Sequence, residues 1–187
     1  MSETRVILFV GTSLTAGFGL DDPEQAYPAL IQKELEAEGL RYRVVNAGVS
    51  GETSAGALRR IDWLLRQPVA VLVLETGAND GLRGQDPAAT RENIREILRR
   101  AKGREPKPKL VLVGMRTLTN YGPEFGRRFE SIYPDLAREA GATLVPFLLE
   151  GVAGVPRLNQ PDGLHPTAEG QRKMAETAWA ALRPLLD

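Results

Sequence analysis

The side chains in this sequence best suited to chemistry are Ser13, Asp162 and His165. Ser13 lies in a glycine-bounded turn, GTSLTAG at residues 11–17, directly after an apolar run. His165 is the only histidine of the chain, and imidazole is the side chain whose unperturbed pKa lies near neutrality. Asp162, three residues before it, can accept a hydrogen bond from the ring and fix its tautomer. The chain order Ser, Asp, His is a known triad order, so the sequence predicts a serine nucleophile activated by imidazole.

Two further loops carry hydrogen-bond donors for such a reaction. Gly48 lies in the segment NAGVSGET, and Asn79 lies in the segment TGANDG. A backbone N–H at Gly48 and the amide of Asn79 can converge near the Ser13 hydroxyl as an oxyanion hole. In well-studied enzymes the loss of one such donor costs about 3–4 kcal/mol of transition-state stabilisation.

Each of these residues also has a simpler interpretation. Ser13 fits an ordinary turn or a phosphate-binding loop, although the segment lacks the endings of a P-loop and of a dinucleotide fingerprint. Gly48 fits a turn glycine and Asn79 fits a helix cap. A loop histidine near an aspartate is usually a surface feature. The combination of all these segments favours catalysis over the separate interpretations.

Hydrophobic periodicity predicts the elements that position these loops. Apolar β-branched runs predict five strands, at 5–10, 42–46, 69–75, 110–113 and 143–147. Helical spacing between them predicts helices after Pro28, around residues 57–65, up to Gly103, from 125 to Gly141 with a kink at Pro134, and over 167–182. Strands alternating with helices predict an α/β fold, a three-layer α/β/α sandwich with a five-stranded parallel sheet of the flavodoxin-like type.

Composition narrows the possible classes of protein. The 187 residues fit a single domain, 1–187, and the 24 basic and 24 acidic residues balance, so nothing favours nucleic acid as a partner. The absence of cysteine excludes disulfides and thiolate chemistry. A zinc site built on one histidine is unusual, so we expect no metal. No apolar run approaches the length of a membrane span, so we expect a soluble protein, either periplasmic or cytoplasmic. We also expect a monomer.

Four ordered sequence blocks resemble the SGNH hydrolase family, also called the GDSL family. Ser13, Gly48, Asn79 and His165 fall in the blocks that give the family its name, and DGLHP at 162–166 matches its last block. Within the family the chain is similar to bacterial thioesterases, lysophospholipases and arylesterases. The resemblance implies an acyl-serine mechanism without cofactor or metal, with an oxyanion hole formed by the Ser13 and Gly48 amides and the Asn79 side chain.

One residue departs from the family pattern. The first block normally reads Gly-Asp-Ser, and here Thr12 stands in place of the aspartate. The resemblance implies that this aspartate braces the loop by hydrogen bonds and carries no proton in the reaction. We expect Thr12 to be compatible with catalysis.

The sequence supports an esterase acting on acyl or aryl esters, with thioesters and lysophospholipids as further substrates. Leu14, Leu82, Leu118 and Tyr121 are the predicted substrate contacts, and each fits core packing as well. Two alternatives remain open at this stage: a carbohydrate acetylesterase of the same fold, and a non-catalytic small-molecule-binding domain of flavodoxin-like architecture.

Overall fold

A five-stranded parallel sheet forms the centre of the molecule in the computed structural model, which describes residues 4–117 and 119–187. The strands are β1 (Arg5–Gly11), β2 (Tyr42–Gly48), β3 (Val71–Glu75), β4 (Lys109–Val113) and β5 (Thr143–Val145), in the order β2-β1-β3-β4-β5. Strands β1 and β3 are covered on both faces, as their unbroken apolar runs predict. The predicted flavodoxin-like sheet is confirmed.

Helices cover both faces of the sheet and complete the three-layer sandwich. They are α1 (Ser13–Ala16), α2 (Tyr27–Ala37), α3 (Ser54–Leu64), α4 (Ala78–Leu82), α5 (Pro87–Lys102), α6 (Gly122–Glu130), α7 (Ile132–Ala140) and α8 (Ala168–Leu182). Helix α2 packs with α8, whereas α5 packs with α3 and α7. None of the helices described is long and apolar enough to cross a membrane.

The segment between β4 and β5 differs from the prediction. The prediction of a single helix kinked at Pro134 is wrong, because two helices, α6 and α7, meet at Ser131. Pro134 lies in the first turn of α7, where backbone N–H groups have no acceptor inside the helix, so a proline costs no hydrogen bond there. Strand β5 also stops at Val145, two residues earlier than predicted.

The carboxyl ends of the strands bring the candidate loops together. In a sheet of this order the chain turns in opposite directions from β1 and β3, which opens a crevice beyond their carboxyl ends. Ser13 follows β1, Gly48 ends β2 in register with Gly11, and Asn79 follows β3. These loops therefore meet at one edge of the sheet.

Candidate active site

Ser13 is the first residue of the short helix α1, directly after β1. Thr12 caps this helix, since its backbone is extended and its hydroxyl oxygen accepts a hydrogen bond from the Leu14 N–H at 3.5 Å. Gly17, with φ of 75°, ends the helix in the left-handed conformation that glycine adopts without strain. As the first helical residue, Ser13 has an N–H with no acceptor inside the helix. Because α1 begins directly after β1, the hydroxyl and the N–H of Ser13 both lie at the carboxyl end of this strand.

The structure brings Ser13, His165 and Asp162 into one hydrogen-bonded row. His165 Nε2 lies 3.0 Å from Ser13 Oγ, and His165 Nδ1 lies 2.6 Å from Asp162 Oδ2. An ionised carboxylate only accepts hydrogen bonds, so it favours the tautomer with the proton on Nδ1. The lone pair of Nε2 then faces the serine hydroxyl, which is the orientation of a general base.

Asp162 is fixed by its own turn. Its Oδ1 accepts hydrogen bonds from the Leu164 N–H at 2.9 Å and the His165 N–H at 3.0 Å, and Gly163 turns the chain with φ of 70°. The hydrogen bond from the His165 ring, together with these two N–H groups, lowers the pKa of Asp162 to about 2. Asp162 is thus charged throughout the neutral range.

The predicted oxyanion donors lie at the same edge, each with a partner of its own. The Gly48 N–H donates to Asn46 Oδ1 at 2.9 Å, and Asn79 Nδ2 donates to the Glu52 carbonyl at 2.9 Å. A Cβ atom at position 48 would overlap the Ala16 backbone, so only glycine allows β2 to approach helix α1 this closely. An amide has two N–H donors, and the second of Asn79 has no acceptor among the residues described.

The loop that carries Gly48 is held by an ion pair. Arg60 on α3 binds Glu52 with two hydrogen bonds, of 2.6 and 2.7 Å, and also donates to the Ala47 carbonyl at 2.7 Å. Both side chains are mostly buried. The paired guanidinium therefore ties α3 to the end of β2.

Glu75 is a site residue that the sequence interpretation missed. It is the last residue of β3, is 0% exposed, and accepts hydrogen bonds from the Thr12 N–H at 2.8 Å and from the hydroxyls of Thr12 and Thr15. Burial raises the pKa of this carboxyl to about 7, although these hydrogen bonds lower it. A charged residue that ends a wholly apolar strand was the available signal.

Phe18 is a second residue that the sequence interpretation missed. Its ring lies against the imidazole of His165, with 4.6 Å between the ring centres. Gln160 joins the two loops, because its Nε2 donates to the Phe18 carbonyl at 2.8 Å and its N–H donates to the His165 carbonyl at 2.7 Å. Nothing in the spacing of Phe18 from Ser13 signalled this contact across the chain.

The predicted substrate contacts fall into different environments. Leu14 is only 5% exposed and belongs to the hydrophobic core, which is the core role that its position also allowed. Leu82 and Tyr121 are exposed, and the Tyr121 hydroxyl donates to the Leu82 carbonyl at 3.3 Å. Leu118 lies outside the described residues.

The row of serine, imidazole and carboxylate at the carboxyl edge of a doubly wound sheet is the arrangement of a serine hydrolase. Among residues 4–117 and 119–187, no three or more His, Asp or Glu side chains are grouped to hold a metal ion.

Comparisons with known proteins agree with this class. The model of the GDSL-like lipase/acylhydrolase family matches residues 9–173. The chain is 43% identical to the esterase TesA of Pseudomonas aeruginosa, across 99% of this chain and 91% of TesA. It is 38% identical to thioesterase 1/protease 1/lysophospholipase L1 of Escherichia coli, across 97% of this chain and 85% of that protein.

A solved structure adds to these matches. The SGNH-hydrolase family esterase AlinE4 is 42% identical, with a TM-score of 0.80 and coverage of 100% of this chain and 99% of AlinE4. Structures of AlinE4 carrying the substitutions S13A and D162A are also known. The chain belongs to the GDSL-like lipase/acylhydrolase family, and it is a carboxylic ester hydrolase rather than a non-catalytic binding domain.

Proposed function

We propose that this ester hydrolase works through an acyl-serine intermediate on Ser13, with His165 as general base and Asp162 as the residue that orients it. The observation that carries this proposal is the 3.0 Å contact between His165 Nε2 and Ser13 Oγ, continued by the 2.6 Å contact between His165 Nδ1 and Asp162. The structures of AlinE4 with S13A and D162A substitutions concern residues with the same types and numbers, which supports the proposal.

The reaction has two halves. In the first, Ser13 Oγ attacks the ester carbonyl carbon while its proton passes to His165 Nε2. The tetrahedral intermediate then collapses, the bond to the alcohol oxygen breaks, and His165 returns the proton to that oxygen. In the second half a water molecule repeats the attack on the acyl-serine, and the acid leaves. Asp162 keeps its negative charge and stabilises the imidazolium in both halves.

The oxyanion of each intermediate accepts hydrogen bonds from the N–H groups of Ser13 and Gly48 and from Asn79 Nδ2. The Gly48 N–H points to Asn46 Oδ1 in the substrate-free site, so it must be shared with or released to the oxyanion. Donors that are already held in place, such as the Ser13 N–H at the start of α1, need little reorganisation when the charge develops, and this contributes to the rate enhancement.

The substrate carries an apolar acyl or aryl group. In the part of the chain that the structure describes, the segment after each strand exposes at least one large apolar side chain, and these include Phe18, Val49, Leu82, Tyr121 and Leu164. Because these side chains follow the same ends of the strands, we expect them to form an apolar rim around the crevice that holds Ser13. Such a rim favours acyl and aryl esters over sugar acetates, and the name of the Escherichia coli relative supports thioesters and lysophospholipids as further substrates.

We also propose that residues 1–187 act as one domain and as a monomer. One chain supplies Ser13, Asp162 and His165, so the site needs no residue from a second copy. Light scattering on the purified protein tests this, and a dimer at micromolar concentration would contradict it.

The test of the catalytic proposal uses p-nitrophenyl esters of increasing acyl length. We expect Ser13→Ala to lower kcat by about 10⁶-fold, as the loss of the nucleophile does in comparable triads. Ser131→Ala is the matched control, because that hydroxyl caps the end of α6 and donates to the Arg128 carbonyl. An organophosphate should label the wild type at Ser13 and leave the variant unlabelled.

Two results would contradict the proposal. Activity of Ser13→Ala equal to that of the wild type would remove Ser13 from the mechanism. Faster hydrolysis of acetylated sugars than of any p-nitrophenyl acyl ester would instead favour a carbohydrate acetylesterase.

A further inference from the structure

The buried carboxylate of Glu75 binds the nucleophile turn on both sides of Ser13. Its Oε2 accepts from the Thr12 N–H at 2.8 Å and from the Thr15 hydroxyl at 2.9 Å. The Thr12 hydroxyl lies 3.0 Å from both carboxylate oxygens. Gly11 makes this approach possible, because a Cβ at that position would overlap Thr15 and lie 2.8 Å from Glu75 Oε2.

We propose that Glu75 is a positioning residue for Ser13, which holds the nucleophile turn by its hydrogen bonds to Thr12 and Thr15 and must be ionised to do so. This inference rests on the proposed role of Ser13. Glu75 touches no reacting atom and acts through the backbone on which Ser13 stands.

The pattern of donors requires an acceptor-only group at position 75. The Thr12 N–H can only donate, and the Thr12 hydroxyl donates to Glu75 while it accepts from the Leu14 N–H. The Tyr27 hydroxyl lies 2.9 Å from the Thr15 hydroxyl, so Tyr27 donates to Thr15 and Thr15 donates to Glu75. An ionised carboxylate accepts all of these bonds, whereas a protonated one presents an O–H to donors.

These bonds determine where the Ser13 hydroxyl lies. Thr12 precedes Ser13 and caps α1, and Thr15 lies two residues after it in the same helical turn. Both anchors are buried and at most 1% exposed. Loss of the carboxylate frees the turn at both points, and a shift of about 1 Å at a reacting group lowers rates by about 10²-fold.

Protonation of Glu75 falls near neutral pH. Burial raises its pKa to about 7. The titratable groups that face it are Tyr27 from α2 and Tyr133 from α7, and burial raises the pKa of both far above neutrality. Asp80 acts on Tyr133 from the next segment. The donors that Glu75 receives are all uncharged, so Glu75 loses its hold on the turn as the pH falls below about 7.

The test compares Glu75→Gln, Thr12→Val and Thr12→Ser with the wild type. We expect folded Glu75→Gln to lower kcat by about 10²-fold with KM within about threefold, because positioning acts on the chemical step. In the wild type log kcat/KM should fall as the pH drops below about 7, and part of this fall should come from the protonation of Glu75. Glu75→Gln lacks that part, so its acid limb should be less steep than that of the wild type.

Thr12→Val keeps the test decisive even where Glu75→Gln does not fold. It removes one donor to the charged carboxylate, so we expect a lower kcat and an acid limb moved to higher pH. Thr12→Ser keeps the hydroxyl, so we expect its kcat and the position of its acid limb to match those of the wild type. Thr177→Val is the matched control, since that hydroxyl donates within α8 to the Lys173 carbonyl.

Two results would overturn the inference. One is a folded Glu75→Gln with wild-type kcat and an unchanged acid limb. The other is a Thr12→Val protein that matches Thr177→Val in both measurements. If Ser13→Ala kept wild-type activity, the proposed function itself would have failed, and that assay separates the two failures.

Discussion

The candidate site contains two carboxylates, Asp162 within the triad and Glu75 beside it, and their surroundings differ in opposite ways. Asp162 lies exposed in a tight turn, where its hydrogen bonds with His165 and Leu164 lower its pKa to about 2. Glu75 lies buried at the end of β3, where the loss of hydration raises its pKa to about 7. His165 is thus held by an exposed carboxylate from its own turn. The turn that carries Ser13 is held by a buried hydrogen-bond network. Charge is permanent on one side of the site and dependent on pH on the other.

The largest expected effect comes from the exposed side. Asp162→Asn keeps the size of the side chain but replaces an acceptor-only carboxylate with an amide, so the imidazole loses the carboxylate that selects its tautomer. We expect kcat to fall by about 10⁴-fold, as it does for the equivalent change in a serine protease triad. Asp21→Asn is the matched control, since that exposed aspartate lies before the turn at 23–25. A fall below tenfold would show that the turn alone orients His165.

The buried carboxylate of Glu75 should affect the free energy of unfolding as well as the reaction rate. The pKa of Glu75 is about 7 in the folded chain and near 4.5 in the unfolded one. Between these values the folded state binds more protons, so the contribution of Glu75 to the free energy of unfolding falls as the pH rises. At about 1.4 kcal/mol per pKa unit, the fall is about 3 kcal/mol.

Urea unfolding of the wild type and Glu75→Gln between about pH 4.5 and pH 8 measures this fall, since the difference between the two proteins isolates Glu75. Asp162 does not disturb the comparison, because its lowered pKa gives it a slope only below its ordinary value, toward pH 2. A difference that stays constant over this range would show that Glu75 titrates normally.

The sequence indicated the strands and the pair of Asp162 with His165 because both depend on short-range patterns. A buried parallel strand is an unbroken apolar run, and Asp162 and His165 lie three residues apart in one turn. The contact of Ser13 with His165 spans 152 residues and was inferred from loops that share the carboxyl ends of the strands. Glu75 was missed because its partners, Thr12 and Thr15, are 60 or more residues away in the chain. Only the pairing of β1 with β3 brings them together.

The partner of Thr12 also became visible only in the structure. The family resemblance predicts that the residue before the serine braces the loop, and Thr12 does donate to Glu75. An aspartate there would set a second carboxylate against Glu75, and like charges that share a site raise a pKa further. The break at Ser131 was equally hidden, because helical spacing continues through it from Phe129 to Tyr133.

The smallest expected effect concerns Phe18, whose ring packs against His165. The Phe18 ring lies 4.6 Å from the imidazole of His165, at a tilt of 44°. Contacts of this kind are worth about 0.5–1.5 kcal/mol beyond the area that they bury, so we expect Phe18→Ala to lower kcat by about 2- to 12-fold. Trp63→Ala is the control, because Trp63 is an aromatic residue of α3 that is 65% exposed. If KM rose for long acyl chains while kcat stayed constant, Phe18 would be a substrate contact and would not support the base. If both constants matched those of Trp63→Ala, the Phe18 ring would neither contact the substrate nor support His165. The orientation of His165 would then depend on Asp162 alone.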